Sequence, residues 1–363
     1  MVLRSAGDVG CAHCATMGAD RNCPSCTRLV CASCSIRWRT CAEPTVARAV
    51  RLGLTARVID IDPLGTLALV AHWRQPLRVF DLRALAWVPD IALPRELYVR
   101  SRFTPPRLTA SRAIVHHKVA GLFRRMTWDS LEGGTQDTWL TSLPPRGALQ
   151  VSATGDRVYY LTDDDQVIMF REPQNGEVTS QTFLPLPAGT RLTAASIDVE
   201  RNLLLTGTYN QIELHRIDGE RLTRLWSRTT NQGMVTWVGI AGKAVVAGIR
   251  LGGGAMRFEV RWLDAALEPG PLADAITPNP PWRDIDLAAD GRFLAIATDD
   301  GLTVHDLDAR TATAFADHTD SITCVRFASD DHLLISADSD NRVILRPRTA
   351  TGYASRVVRV EAM

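Results

Sequence analysis

Lysine is nearly absent from this chain. Only Lys118 and Lys243 occur in 363 residues, so almost all of the 41 basic side chains are arginines. They face 40 acidic residues, for a formal charge of +1. The longest basic run is Arg124-Arg125, which leaves no positive stripe of the kind that neutralises nucleic-acid phosphates. No stretch approaches eighteen consecutive apolar residues, so no membrane span is expected. Met1 to Gly10 reads MVLRSAGDVG. It lacks the charged start and apolar stretch of a secretion signal, and a cytoplasmic location is the expectation. Catalytic signatures are missing too: no GxSxG, HExxH, GxxxxGK[ST] or GxGxxG occurs. These absences point away from nucleic acid, membrane and catalysis, and towards protein partners.

Cysteine is rare after residue 41, where only Cys324 remains. The other seven are clustered, six of them as CxxC pairs: Cys11 and Cys14, Cys23 and Cys26, Cys31 and Cys34, followed by Cys41. Two thiolates three residues apart on a turn hold two vertices of a tetrahedral shell, and two such pairs complete a four-sulfur zinc site. A disulfide framework is the plainer alternative. An odd number of clustered cysteines in a chain expected in the reducing cytosol favours metal. One or two structural Zn2+ ions are therefore expected, each contributing on the order of 10 kcal/mol to a segment too small to bury much surface.

Two pairings are open. Sequentially, Cys11, Cys14, Cys23 and Cys26 hold one ion while Cys31, Cys34 and Cys41 start a second. Cross-braced, Cys11, Cys14, Cys31 and Cys34 share one ion, and Cys23, Cys26 and Cys41 share the other. His13, Asp20 and Glu43 are available for the last vertex, although His13, inside the first pair, reads more simply as a supporting or surface residue. The spacing over residues 9–45 resembles the cross-braced fingers of the B-box, RING and FYVE families, above all in the four-residue gap between the second and third pairs. It departs from them after Cys41, where they place a final ligand pair and this chain has Ala42, Glu43 and Pro44.

From Thr55 onward one pattern returns seven times: an alternating apolar strand, a turn, a second strand ending in small residues, a turn and a third strand. First strands begin near residues 57, 106, 147, 192, 234, 282 and 321, a spacing of roughly 44 residues and typical of propeller blades. Gly65, Gly155-Asp156, Arg201-Asn202, Asp290-Gly291 and Asp330-Asp331 mark the turns. A sheet of three or four such strands cannot bury both faces alone, so the units must stack about an axis.

The closing copy, ADHTDSITCVRFASDDHLLISADSDNRVILRP from Ala316, resembles the WD-repeat family. His318 stands where that family has its Gly-His dipeptide, Asp340 at the turn aspartate, and Val343 and Leu345 on the apolar third strand. In the first copy, RVFDLR from Arg78 is similar to the family's strand ending in Trp-Asp, with Phe80 for Trp and Asp81 kept. Copies two and five barely match, and Arg346 replaces the Trp of the last copy. The resemblance implies an all-β, seven-bladed β-propeller over residues 45–363, preceded by a zinc-stabilised finger over residues 1–44. Two segments compete to close the ring, TVARAVRL from Thr45 and SRVVRVEAM from Ser355.

Isolated polar residues have plain readings. His116-His117 sits mid-strand, where alternation sends the two to opposite faces. Asp163-Asp164-Asp165 reads as a solvated turn, Gly252-Gly253-Gly254 as a hairpin, and Cys324 as a small buried residue. Asp299-Asp300, Asp338 and Asp340 read as ties between strands and turns. The nine tryptophans read as packing, and any that are exposed as interface anchors.

Three functions compete. The first is a non-enzymatic scaffold in which propeller and finger recruit protein partners; the arginine bias suits a high-GC bacterial genome, and a multi-protein signalling or conflict system. The second is a ubiquitin-ligase-like enzyme built on the finger, disfavoured by the scarcity of acceptor lysines. The third is a channel enzyme or sensor, for which first strands offer Asp60, Asp62, Asp198, Asp284 and Asp286. Arg21, Arg28, Arg37 and Arg39 make the finger locally basic, which leaves room for an acidic partner. The scaffold is the expectation, because nothing catalytic competes with it.

Overall fold

The computed structural model describes residues 192–359 apart from 199, 220, 231, 232, 279–281, 328–330, 332, 341, 350 and 351. Before residue 192 it describes Leu186 and the strands named below. A two-stranded antiparallel pair, Arg21–Asn22 with Leu29–Val30, comes first. Among the described residues, seven larger sheets then follow. The first is Ala56–Ile61, Leu67–His72, Gln75–Asp81 and Ala86–Trp87. The second is Ala113–Val119, Leu122–Trp128 and Thr135–Ser142. The third is Gly147–Val151, Arg157–Thr162, Gln166–Arg171 and Gln181–Pro185.

The fourth to seventh sheets are described with side chains. The fourth is Leu192–Asp198, Leu203–Thr208, Gln211–Asp218 and Arg221–Thr229. The fifth is Gly233–Ala241, Ala244–Leu251, Met256–Leu263 and Pro269–Ile276. The sixth is Trp282–Leu287, Phe293–Thr298, Gly301–Asp306 and Thr311–Phe315. Each of these three is an antiparallel meander with strands in chain order. First strands of the third to seventh sheets lie side by side in sequence, and that of the seventh reaches Ala56–Ile61 of the first. The series returns to its start.

Burial falls from the second strand to the fourth. Second strands such as LLLTGT and FLAIAT are buried at every position, because neighbouring sheets cover both faces. Alternation divides the fourth sheet cleanly. Leu203, Leu205, Ile212 and Leu214 pack with Val235, Val238 and Ile240 of the fifth sheet, while Leu204 and Ile217 turn the other way to Leu186. Phe258 and Val260 continue the core to Ile285, Leu294 and Ile296, and Phe293, Ala295 and Val304 carry it to Val325, Leu334 and Tyr353. Outermost strands are mostly exposed, as in TATAF.

The seventh sheet is assembled from both ends of the repeat region. Ile322–Phe327, Leu333–Asp338 and Arg342–Thr349 form its inner three strands. Val46–Arg51 completes it antiparallel, pairing Val343 with Val50 and Leu345 with Arg48. Arg356–Arg359 then adds outside, parallel to Val46–Arg51. The two competing closing segments are therefore both used, one beside the other. Ala47 and Ala49 are small enough to seal against Ile344 and Ala354.

Candidate functional site

The inner-strand carboxylates hold the frame together. Asp284 Oδ2 accepts the Val325 amide at 2.9 Å and an Arg326 guanidinium N–H at 2.6 Å. Asp286 Oδ2 accepts the Phe327 amide at 2.7 Å. Ser196 Oγ accepts the Ile240 amide at 3.3 Å, two interfaces earlier. Ser196, Asp286 and Asp60 share one register position, opposite the third residue of their second strands, Leu205, Ala295 and Leu69. Asp198 turns instead to its own hairpin, accepting the Arg201 amide at 3.0 Å and Nε at 2.7 Å. Asp62 lies outside the described residues. Asp198, Asp284 and Asp286 are thus bound to backbone or to arginine, and do not converge on a shared ligand.

The turns form a second set of ties. Asp331 Oδ1 and Oδ2 accept the Ala289 and Asp290 amides, each at 2.8 Å, and Tyr353 donates its hydroxyl to the Asp331 carbonyl at 2.9 Å. Burial pushes the Asp331 carboxyl up to about 6, against the two amides that favour its charged form. Gly242 sits so close to the next sheet that a Cβ there would lie 2.0 Å from the Asp290 carbonyl oxygen.

In the closing repeat His318 is almost fully buried and bonded on both nitrogens, Nδ1 to Asp338 Oδ2 at 2.9 Å and Nε2 to Ser336 Oγ at 2.7 Å. Asp338 Oδ1 also accepts the amides of Asp340 and Arg342. The carboxylate that meets His318 is therefore Asp338, two residues before Asp340, whose own amide donates to it. Burial raises the Asp338 carboxyl, but the hydrogen bonds from His318 and the Arg342 amide outweigh it and leave the group below the usual range. Arg346, in the place of a tryptophan, lies fully buried over the Phe315 ring, paired with Asp317 and bonded to the Ala354 carbonyl.

Residues 310–345 match the family model described as WD domain, G-beta repeat. The chain is similar in structure to the β-propeller domain of Cps50 (Swd1) from Myceliophteria thermophila, with a TM-score of 0.60 and 13% identity over 83% of this chain and 98% of that one. The fold is propeller-like, and the matched segment runs from the outer strand of the sixth sheet through the inner strands of the seventh. No curated protein matches the chain in sequence. The tight polar knot of His318, Ser336 and Asp338 lies inside the matched segment and ties the loop before Ile322–Phe327 to the strand Leu333–Asp338.

The exposed chemistry lies on turns and on outer strands. Tyr209, at the turn between the second and third strands of blade four, is 71% exposed. Trp226, Trp237, Trp262 and Trp282 pack against the inter-blade cores instead. Between blades four and five, buried Glu259 is ringed by three guanidinium groups: Arg228, which forks onto it, Arg257 at 3.5 Å and Arg261 at 4.0 Å. Arg261 also donates to the Gly270 carbonyl at 2.7 Å and lies over Trp226. Burial, then repulsion from Arg228, lowers the Arg261 pKa. Among the described residues, Arg257 Nε and Arg261 Nε are buried without hydrogen-bond partners. Glu213, on the other face of blade four, takes Arg224 at 3.2 Å. Sequence reading missed this cluster, although the three arginines of RLTRLWSRT, a stretch that itself holds no acidic residue, were its signal.

Cys11, Cys14, Cys23, Cys26, Cys31, Cys34 and Cys41 lie outside the described residues, as do Asp163, Asp164 and Asp165. Among the described residues, no three His, Cys, Asp or Glu side chains gather as a metal shell, and no helix is long and apolar enough to cross a membrane. Cys324 is buried on its inner strand. Asp299 pairs with exposed Arg283. His116 and His117 are consecutive on one strand, opposite Arg125 and Arg124.

Proposed function

We propose that this protein is a non-enzymatic scaffold: a seven-bladed propeller over residues 45–363 that presents its rims and faces to protein partners. A finger over residues 1–44, held by one or two Zn2+ ions on Cys11, Cys14, Cys23, Cys26, Cys31, Cys34 and Cys41, extends that surface. The setting is a cytoplasmic, multi-protein bacterial system. The observation that carries the reading is the fate of the polar side chains. Asp284, Asp286, Ser196 and His318 all bind neighbouring strands or turns. They stiffen the frame and, among the described residues, leave no acid–base pair or nucleophile poised for substrate. A rigid ring with exposed turn features such as Tyr209 suits recognition better than chemistry.

A native pull-down from the source cell, with the full chain and a version lacking residues 1–43 as baits, tests the reading. A stoichiometric protein partner supports it. Loss of that partner on truncation assigns binding to the finger, and retention assigns it to the propeller. No partner with either bait overturns it.

A further inference from the structure

Edge strands present a row of unpaired amides and carbonyls, and proteins either guard them or use them. Among the fully described blades the outer edges differ sharply. That of blade six, TATAF, is five residues long and uncharged. That of blade five, PGPLADAI, is interrupted by two prolines and two register shifts. That of blade four, Arg221–Thr229, is nine residues long and holds Arg221, Arg224 and Arg228 with no acidic residue. Arg257 and Arg261 look across from blade five. Among the described residues, the carboxylates set against these five cations are Glu213 and Glu259, both buried, and Asp218, opposite Arg221, which is taken by Arg216 and Thr223; Glu220 precedes Arg221 in the chain. Arg221 and Arg224 are exposed, whereas Arg228, Arg257 and Arg261 are partly buried, and together they leave a net positive edge that favours an added counter-charge. The seventh blade shows that a rim in this fold accepts another strand, since Arg356–Arg359 adds outside Val46–Arg51.

We propose that the rim of blade four is a docking edge for an extended acidic segment of a protein partner. The segment adds to Arg221–Thr229 as a fifth strand. One face of it sets carboxylates against Arg228 and Arg257, and the other against Arg224. The inference rests on the scaffold reading and names the face and the partner chemistry it uses. The competing explanation is that the arginines only guard the edge against pairing, in which case an acidic strand gains nothing there.

The test is fluorescence anisotropy of the full-length protein with a labelled ten-residue peptide of alternating Glu and Val. Controls are the Lys/Val counterpart and two Glu/Val peptides N-methylated on alternate residues, one for each register. The acidic peptide is expected to bind and the lysine peptide not to. Arg221→Ser with Arg224→Ser, and separately Thr229→Asp, which keeps every arginine pair, are each expected to weaken binding about tenfold. At least one N-methylated peptide should lose binding to a similar degree. Absence of binding, equal binding of both peptide signs, insensitivity to both variants, or full binding by both N-methylated peptides overturns the proposal. So does ready displacement by inorganic phosphate, which would indicate a simple oxoanion site. Because the assay needs no cellular partner, its failure leaves the pull-down result untouched, and the two readings fall separately.

Discussion

Removing the Asp338 carboxylate should weaken the closing blade by an amount the structure allows to be sized. Asp338 is fully buried and accepts hydrogen bonds from His318 Nδ1 at 2.9 Å, the Arg342 amide at 2.9 Å, the Asp340 amide at 3.1 Å and the Thr319 backbone. Bonds to a charged acceptor contribute about 1.5–3 kcal/mol each, and orphaning a buried donor costs about 1–3 kcal/mol. The two turn amides can regain water, whereas the His318 side chain is only 1% exposed and cannot. Asp338→Ala should therefore cost about 3–5 kcal/mol, dominated by the orphaned imidazole. Asp338→Asn keeps one acceptor oxygen and should cost about 1–2 kcal/mol. With about 2.1 cal/mol/K of unfolding entropy per residue, a cooperative chain of 363 residues should lose about 4–7 °C in Tm for the alanine variant. Circular dichroism melts and urea titrations followed by tryptophan fluorescence would measure it. An alanine variant melting within about 1 °C of the parent, or an asparagine variant as damaged as the alanine one, would refute the reasoning.

Three further outcomes follow from other parts of the chain. Ala49→Glu buries an unpaired carboxylate against Ile344 in the closing strand and should lower stability by at least about 3 kcal/mol in urea titration, while Ala49→Ser should cost far less. Asp331 titrates at about 6 in the folded protein against an ordinary 3.8, so its contribution to stability is fully present below 3.8 and is lost as pH rises through 6. Asp331→Asn should flatten that part of the stability–pH curve, and an unchanged slope would assign the titration elsewhere. Native mass spectrometry should find one or two zinc ions per chain. Under the cross-braced pairing, substituting serine at Cys11 and Cys14 removes the same ion as substituting it at Cys31 and Cys34, and a metal-free parent protein would remove the finger from the reading.

Strand spacing was the most legible feature, because period-2 alternation and turn residues are local. First strands expected near 147, 192, 234, 282 and 321 begin at Gly147, Leu192, Gly233, Trp282 and Ile322. The weak second copy was placed by the same alternation, and its described strands include Ala113–Val119 and Leu122–Trp128. What sequence reading could not settle depended on three-dimensional reach. Asp338 and Asp340 are both turn carboxylates, and only the geometry of the turn decides which one meets His318. The pairing of Arg228 with Glu259 spans 31 residues and two blades, a distance at which no local pattern operates. Closure was open because both flanking segments alternate equally well; the small side chains of Ala47 and Ala49 suit the inner place, beneath a further strand.

The composite seventh blade also sets a timetable for synthesis. Val46–Arg51 leaves the ribosome before any blade exists, yet its partner strand, paired through Arg342 to Arg51, follows roughly 290 residues later. At about 5–20 residues per second the early strand waits roughly 15–60 s for its neighbour. During that interval it is a lone β-segment among the nascent edges of the sheets made before it is paired. Arg48 and Arg51, spaced along an otherwise small and apolar strand, are charges of the kind that discourage premature pairing. The last repeat is thus the step that turns an open stack into a ring, and a ribosome that stalls before Arg342 releases a chain whose first strand has nowhere to go.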